Sequence, residues 1–349
     1  MELRVLGGTG VRVSSLCLGA MMFGPTGNDD RDDCVRIIHR ALDAGINFVD
    51  TADVYSSGVS EEIVGAALRD RREDVVLATK VHGSMSRDPN HRGNSRRWIV
   101  RELEASLRRL GTDHVDLYQL HRADPSTELE DTFEALSDMV RQGKVRYVGT
   151  SAFPPWQIVE AHWLAERRSL IRPRCEQVSY SILTRAAERD TFPVAQRFGM
   201  GVIVYSPLAG GWLTGKYRRD DEAPPDSRMA RSRSMGGRFG SRFDLDRPET
   251  QRRFDLVDRL RPIADKAGLS LTHMSIAFTL AHPAVTSAIL GPRTMEHLED
   301  LLAGADVRLD ADTLDAIDEV VAPGTLIDEA DRGWDPPWME PSARRHPPA

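Results

Sequence analysis

The sequence predicts an α/β fold, a (β/α)8 TIM barrel, from two observations. Eight short runs rich in β-branched residues alternate with stretches whose apolar residues recur at helical spacing. This alternation is typical of parallel strands that are joined by right-handed helical crossovers. In addition, a polar residue ends or directly follows six successive runs. Eight such units fit either an open, doubly wound sheet or a closed barrel.

The polar residues at the strand ends favour the barrel. In an open sheet with strands ~4.8 Å apart, the first and the last of them would lie roughly 24 Å from each other. A barrel brings them around one rim, where (β/α)8 enzymes have their active sites. In chain order the residues are Asp50, Lys80, His121, Ser151, Gln177 and Tyr205.

The elements are predicted in the following order within one domain, residues 1–349. Residues 1–14 form a β-hairpin, because Gly7, Gly8 and Gly10 supply the backbone freedom of a turn between two short runs. The eight strands are Ser15–Gly19, Ile46–Asp50, Val75–Lys80, Val115–His121, Val145–Gly149, Arg174–Val178, Val202–Ser206 and Val285–Leu290. Helical spacing is found over Asp32–Ala44, Ser95–Leu110, Leu129–Gln142, Pro155–Arg167 and Thr250–Ala267.

Two segments break this alternation. Residues 216–247, after the seventh strand, have almost no apolar periodicity and are too long for an ordinary connection. This segment is predicted to be either a mobile loop over the rim or a solvated insertion without a role. The C-terminal tail, residues 323–349, is irregular and contains Trp334 and Trp338. It either crosses the rim or is loose.

Composition narrows the class of partner. The 349 residues include 46 basic and 53 acidic ones, for a net charge of -7, which argues against nucleic-acid or membrane binding and favours a small molecule. Cys17, Cys34 and Cys175 are too few and too far apart for a disulfide framework, and with the scattered histidines they predict no metal site. The first residues lack the apolar core of a signal peptide, and no stretch approaches ~20 apolar residues. We therefore expect a reduced, cytoplasmic chain.

Asp50, Tyr55, Lys80 and His121 together predict carbonyl reduction. No side chain supplies a hydride, so a nicotinamide cofactor must bring it. A phenol can supply the proton, and since a free tyrosine has a pKa of about 10, a neighbouring cation such as Lys80 helps it do so. Asp50 would hold Lys80, and His121 would orient the substrate oxygen or relay the proton. Each residue alone has a structural explanation, but their place on three consecutive strands favours a site.

Three segments resemble signatures of the aldo-keto reductase superfamily. They are Asn47–Tyr55, Leu77–Lys80 and Asp116–His121, and the similarity continues in order from about Leu3 to Val320. The resemblance implies an eight-stranded barrel that binds NADP(H) without a Rossmann fold. It also implies a catalytic tetrad of Asp50, Tyr55, Lys80 and His121.

The same resemblance implies a set of cofactor contacts. Gln177 and Ser151 resemble the residues that bind the nicotinamide carboxamide, although Ala152 stands where the family has an asparagine, and Tyr205 resembles the aromatic residue under the ring. Arg293, beside Thr294 at a helix start, would bind a 2′-phosphate, which favours NADPH over NADH. Arg228 either closes over the cofactor or is a solvated loop residue. The remaining implied contacts are Ala20, Met21, Asp50, Ser206, Leu208, Gly210, Lys216, His297 and Asp300, of which His297 and Asp300, with Leu301, depart from the family's usual residues.

The predicted function is NADPH-dependent reduction of an aldehyde or a ketone, and the sequence does not fix the oligomeric state. Two alternatives stay open: a nicotinamide-binding regulatory subunit similar to potassium-channel β subunits, and a sugar-nucleotide ketoreductase. Residues 210–216 also spell the first seven positions of a Walker loop, but Tyr217 replaces the residue that ligates magnesium. The substrate pocket is predicted from Met22, Phe23, Tyr55, Trp98 and His121, with Met21 and Trp338 as further candidate walls.

Overall fold

The computed structural model describes residues 1–219, 221–235 and 240–345. Its strands are β1 Leu3–Val5, β2 Arg12–Ser14, β3 Leu16–Gly19, β4 Phe48–Asp50, β5 Val76–Val81, β6 Val115–Leu120, β7 Val145–Ser151, β8 Pro173–Ser179, β9 Gly201–Tyr205 and β10 Val285–Leu290. Strands β3 to β10 pair in parallel in chain order, and β10 closes the sheet by pairing with β3. This confirms the predicted (β/α)8 barrel and excludes the open, doubly wound sheet.

The predicted N-terminal hairpin is also present and covers one end of the barrel. Strands β1 and β2 pair antiparallel, and Leu6 and Val13 pack into the barrel interior beside Phe48. Gly7 has a φ of +54°, and a Cβ atom there would lie 2.5 Å from the backbone nitrogen of Gly201. Only glycine therefore lets the hairpin approach the barrel this closely.

The helices lie between the strands. The first seven are α1 Arg31–Asp43, α2 Val59–Leu68, α3 Arg96–Leu110, α4 Leu129–Arg141, α5 Pro155–Arg168, α6 Thr191–Arg197 and α7 Arg228–Met235. They are followed by Pro248–Lys266, Leu271–Ala281, Met295–Ala303, Ala311–Val320 and Pro341–Arg344. Among the described helices, none combines the length and the apolar character that crossing a membrane requires.

Each of the five predicted helices is found to within a few residues. Side chains cap several helix starts: Ser95, for example, accepts from the Trp98 backbone nitrogen. Helix α2 is not among the predicted helices. Gly65 lies inside it, and a glycine lowers the propensity of a segment to form a helix. A Cβ atom on Gly65 would lie 2.4 Å from the carbonyl oxygen of Leu110. The glycine therefore permits close packing of α2 against the end of α3.

The long connection after β9 is present but is not irregular throughout, since it contains α7. An aromatic cluster anchors it to the barrel: the ring of Trp212 lies 4.8 Å from that of Phe254 and stacks 6.2 Å from that of Phe243. This packing argues against a purely solvated insertion. Of the predicted loop, residues 220 and 236–239 lie outside the described residues.

The C-terminal tail is held against the rim by buried ion pairs. The carboxylate of Asp328 is buried and accepts from Arg247 at 3.0 Å and from Arg253 at 2.9 Å. Arg253 also donates to Asp331 at 2.7 Å, and Gly333 lies directly against the hydroxyl group of Tyr205. The tail therefore crosses the rim rather than hanging loose. Residues 346–349 of the predicted tail lie outside the described part of the chain.

Candidate active site

The four predicted catalytic residues meet at the carboxyl-terminal rim of the barrel. Asp50 ends β4, Lys80 lies near the end of β5, and His121 directly follows β6. Tyr55 begins a short 3-10 turn beyond β4, in which Ser56 and Ser57 have left-handed φ values of +48° and +55°. Such strained non-glycine residues are typical of functional sites.

Lys80 forms a buried ion pair in the centre of the site. Its ammonium group donates to Asp50 Oδ1, to the carbonyl oxygen of Thr51 at 2.8 Å and to the hydroxyl oxygen of Tyr55 at 3.3 Å. Burial acts to lower the pKa of Lys80, but the negative charge of Asp50, followed by Tyr55, outweighs it and raises the pKa above its ordinary value. Lys80 is therefore a cation in direct contact with the phenol.

Two buried amides complete the environment of Asp50. Its Oδ2 atom accepts from Gln119 Nε2 at 3.0 Å and from Gln177 Nε2 at 2.9 Å, and Gln177 also donates to Gln119 Oε1 at 3.2 Å. The three residues come from alternate barrel strands, β4, β6 and β8, whose inward side chains share one layer of such a barrel. Gln119 is the site residue that the sequence prediction missed. The available signal was a polar residue between the apolar Tyr118 and Leu120.

His121 lies beside Tyr55 with its ring edge-on, at a centroid distance of 5.8 Å. Burial, and then the positive charges of Arg122 and Lys80, lower the pKa of His121 well below its ordinary value. The imidazole is therefore neutral and can donate one hydrogen bond while it accepts another. Arg122 donates to the His121 carbonyl oxygen and reaches Ser151 Oγ at 3.4 Å.

The backbone after β9 forms a concave turn that suits close approach by a ligand. Ser206, Ala209, Gly210 and Gly211 all have left-handed φ values, from +48° to +98°. A Cβ atom on Gly210 would lie 3.2 Å from the ring of Phe243. Successive residues in such conformations can turn their amide groups toward an anion.

A cationic cluster, Lys216, Arg228, Arg231 and Arg293, adjoins this turn. Burial and the neighbouring arginines lower the pKa of Lys216 and of Arg228, which means that the positive charges crowd one another. Within the described residues, Lys216, Arg228 and Arg293 form no ion pair with a carboxylate. A donor set of this kind fits the phosphate groups of a dinucleotide such as NADPH.

The other predicted cofactor positions are distributed around the rim. Ser151 ends β7 and Tyr205 ends β9, while the backbone nitrogen of Ala20 donates to the Asp50 carbonyl oxygen at 2.8 Å. Met21 is partly buried, and Leu208 begins the turn that contains Gly210. At the far end, His297 is exposed in the first turn of the helix Met295–Ala303. Asp300 accepts from His273 Nε2 at 3.2 Å, so its carboxylate already has a protein partner.

The predicted pocket residues occupy different environments. Phe23 is fully buried and Met22 is partly buried near the turn that carries Tyr55. Trp98 is buried in α3 and stacks on His91 at 5.0 Å. Trp338 contacts Trp156 of α5 at 5.9 Å, on the outside of the barrel.

Among the described residues, no group of three or more histidine, cysteine or acidic side chains could hold a metal ion.

Comparison with known proteins identifies similar sequences over nearly the whole chain. The model of the Aldo/keto reductase family matches residues 15–322. The uncharacterized oxidoreductase YrpG of Bacillus subtilis is 40% identical over 95% of this chain and 99% of its own length. A putative voltage-gated potassium channel subunit beta of Schizosaccharomyces pombe is 35% identical, covering 91% of this chain and 92% of the relative. An aldo-keto reductase of Fusarium vanettenii is 31% identical, over 93% and 92% of the two chains.

Proposed function

Because the chain belongs to the aldo/keto reductase family, we propose that it reduces an aldehyde or a ketone to an alcohol with NADPH. The observation that carries this proposal is the position of Lys80. Its ammonium group is held by the buried carboxylate of Asp50 and lies 3.3 Å from the hydroxyl oxygen of Tyr55. A tyrosine in contact with a fixed cation is suited to give up a proton.

The cofactor would be held by residues on both sides of the rim. Ser151, Gln177 and Tyr205, with Asp50, Ala20 and Met21, would surround the nicotinamide, and the turn with Ser206, Leu208 and Gly210 would receive the diphosphate. Arg293 would bind the 2′-phosphate, supported by the rest of the cationic cluster, with His297 and Asp300 beside the adenine. When it is bound, the nicotinamide supplies a hydride to the carbonyl carbon.

The side chains of the tetrad would donate the proton and stabilise the negative charge that develops during the reaction. Tyr55 donates its hydroxyl proton to the carbonyl oxygen, and the Lys80 cation stabilises the phenolate that remains. Asp50, fixed by Gln119 and Gln177, keeps Lys80 charged and in place. His121, neutral because of its surroundings, donates a hydrogen bond to the same carbonyl oxygen and orients the substrate.

Turnover of NADPH tests this proposal. Purified protein is mixed with NADPH and a panel of aliphatic, aromatic and sugar-derived carbonyl compounds, and the loss of NADPH absorbance is followed. We expect at least one carbonyl to accelerate the oxidation of NADPH. Binding of NADPH without acceleration by any carbonyl would contradict the proposed reductase function.

A second candidate function is a nicotinamide-binding regulatory subunit. The observation that favours it is the similarity, at 35% to 37% identity, to three relatives named as potassium channel β subunits. The same panel separates the two functions, because a regulatory subunit would bind NADPH and leave it unoxidised.

The three cysteines are buried free thiols, which supports a cytoplasmic location for either function.

A further inference from the structure

His82 directly follows β5 and has no part in the chemistry described above. Side chains two residues apart on a strand lie on the same face. On β5, Ala78 packs in the barrel interior and Lys80 follows it into the active site. Leu77 and Val81 belong instead to the core cluster that includes the helices. The next inward position is therefore His82, one layer closer to the rim than Lys80.

The neighbouring strand, β6, supports this placement. Val81 pairs with Leu120, and the backbone nitrogen of His121 donates to the Val81 carbonyl oxygen at 2.9 Å. The next two residues, His82 and His121, are therefore neighbours across the strand ends, where adjacent backbones lie about 4.8 Å apart. Since the ring of His121 meets that of Tyr55, His82 stands beside the residues that would bind the carbonyl oxygen.

The backbone of His82 is held in place on two sides. The next residue, Gly83, packs against the turn that carries Tyr55: a Cβ atom on Gly83 would lie 2.9 Å from the side chain of Val54. On the other side, the backbone nitrogen of Gly93 donates to the His82 carbonyl oxygen at 2.8 Å. These contacts keep His82 at the rim, next to the candidate active site.

A buried asparagine fixes which ring nitrogen of His82 carries the proton. Asn94 is 2% exposed; its Nδ2 atom donates to the Arg122 carbonyl oxygen at 2.9 Å, and its Oδ1 atom lies 3.0 Å from His82 Nδ1. A carbonyl oxygen can only accept, so the contact with Arg122 sets the orientation of the Asn94 amide. Asn94 Oδ1 must then accept from His82, and Nδ1 carries the proton.

The other ring nitrogen, Nε2, is an acceptor. Burial lowers the pKa of His82, and the positive charges of Arg122 and Arg92 act in the same direction, against the hydrogen bond to Asn94 and the charge of Asp124. In a neutral ring with its proton on Nδ1, Nε2 can only accept. This atom makes no hydrogen bond with any residue that the structure describes, and His82 is only partly buried. A substrate can therefore reach it.

We propose that His82 determines substrate specificity, because its Nε2 atom accepts a hydrogen bond from a hydroxyl group that the substrate carries close to its carbonyl carbon. This inference rests on the proposed reductase function and narrows the substrates to short hydroxylated aldehydes and ketones. His121 would donate to the carbonyl oxygen, while His82 would accept from a hydroxyl group one or two carbons away. The spacing of about 4.8 Å between adjacent strands suits two such groups on one small molecule.

An aldehyde without a hydroxyl group gives this acceptor no partner. Once the substrate has displaced water from the site, Nε2 of His82 would be left without a hydrogen bond. A site that is built to bond a substrate hydroxyl group discriminates against the analogue that lacks it for this reason.

Glyceraldehyde and propanal test the proposal, because they share a three-carbon skeleton and differ in two hydroxyl groups. The measured quantity is the ratio of kcat/KM for glyceraldehyde to kcat/KM for propanal at saturating NADPH. His82→Phe keeps an aromatic ring and removes the acceptor, so this ratio should fall by about three- to tenfold relative to wild type, the effect of one hydrogen bond. Hydration of the aldehydes is the same for every variant and cancels in this comparison.

Two further variants sharpen the comparison. His82→Gln places an amide oxygen near the position of Nε2 and should recover most of the wild-type ratio. His114→Phe is the matched control, because His114 precedes β6 at the opposite end of the barrel and pairs with Asp113; it should keep the wild-type ratio.

The outcomes separate this inference from the function on which it rests. Reduction of both aldehydes with the same ratio in wild type and His82→Phe would overturn the role of His82 alone. A His82→Gln ratio no higher than that of His82→Phe would overturn it as well. Failure of wild type to oxidise NADPH with any carbonyl would overturn the proposed reductase function, and this inference with it.

The proton position on His82 is measurable without turnover. A two-bond 1H–15N correlation spectrum of the full chain reports which ring nitrogen is protonated, and the His82 signals are identified by their loss in His82→Phe. We expect the proton on Nδ1 and none on Nε2 at neutral pH. A proton on Nε2 would overturn the proposal, because that nitrogen could not then accept a hydrogen bond from a hydroxyl group.

Discussion

The ammonium nitrogen of Lys80 lies 3.3 Å from the hydroxyl oxygen of Tyr55. Lys80 is fully buried and charged, since the carboxylate of Asp50 pairs with it on its other side. The phenol therefore faces a cation that cannot swing away into solvent. This fixed relationship connects the barrel, which buries Lys80, to the proposed proton transfer from Tyr55.

Lys80→Met should reduce both activity and stability. Loss of the cation removes the stabilisation of the phenolate, so we expect kcat to fall by about 10²- to 10⁴-fold. The buried Asp50 would also lose its counter-charge, which should lower the free energy of unfolding by about 3 kcal/mol. Steady-state kinetics and urea unfolding measure the two effects.

Lys144→Met is the matched control for that change. Lys144 pairs with Glu104 at the surface, so its loss should cost under about 1 kcal/mol and leave kcat unchanged. Equal effects of the two substitutions on stability would show that the Lys80–Asp50 pair has no special role.

Arg293→Ala should weaken NADPH binding selectively. Arg293 belongs to the cationic cluster and has no carboxylate partner within the described residues. Loss of a charge-assisted hydrogen bond to a 2′-phosphate should raise the NADPH dissociation constant by about 10- to 100-fold. The NADH constant, measured by the same fluorescence titration, should change little. Equal losses for the two cofactors would place Arg293 away from the 2′-phosphate.

Glu176→Gln should change the pH dependence of stability. The Glu176 carboxyl group is buried and accepts from Thr150 Oγ1 at 2.5 Å and from the Phe153 backbone nitrogen at 3.2 Å. Burial, which exceeds the opposing effect of these hydrogen bonds, raises the pKa of Glu176 from 4.5 to about 8. Between these values the folded chain holds a proton that the unfolded chain has released. The contribution of Glu176 to stability is therefore complete below pH 4.5 and decreases as the pH rises toward 8.

Urea unfolding of wild type and Glu176→Gln at pH values of about 5.5 and 7.5 measures this effect. The glutamine cannot ionise, so the stability of wild type relative to the variant should decrease by about 2 to 3 kcal/mol between the two pH values. A difference that is the same at both would indicate that Glu176 is ionised throughout.

Asp328→Ala should release the C-terminal tail. The carboxylate of Asp328 is buried between Arg247 and Arg253, and its removal leaves Asp331 as the remaining carboxylate partner of Arg253 among the residues that the structure describes. We expect the free energy of unfolding to fall by about 3 kcal/mol and cleavage of the tail by trypsin to become faster. Glu329→Ala is the control, because Glu329 is exposed at the surface. Cleavage at the wild-type rate in Asp328→Ala would contradict this role of the ion pairs.

The sequence was sufficient to predict the barrel and the polar strand ends that meet at its rim, because both depend on local patterns. Alternating strands and helices predict parallel pairing, and Asp50, Lys80 and His121 each end or follow a strand. The role of Gln119 could not be predicted in this way. Its contact with Asp50 exists only because closure of the barrel brings the inward side chains of alternate strands into one layer.

The position of the tail was also beyond local patterns. From the sequence alone, Trp338 could line the substrate pocket or lie on an outer surface. Which position it takes depends on where Arg247 and Arg253 hold Asp328. Similarly, helix α7 has no apolar stripe that would identify it, because Arg228, Arg231 and Ser232 contribute polar side chains to much of its length. These features depend on contacts between residues that are distant in the sequence.

Tyr55→Phe tests the central claim most directly. The change removes the proposed proton donor and leaves the ring in place, so the NADPH dissociation constant should stay near that of wild type. The rate of NADPH oxidation with the best carbonyl substrate should fall by about 10²- to 10⁴-fold. Tyr147→Phe is the control, because the Tyr147 hydroxyl group contacts Thr9 of the N-terminal hairpin, away from the candidate active site. A Tyr55→Phe variant that reduces the carbonyl at the wild-type rate would contradict the assignment of Tyr55 as the acid.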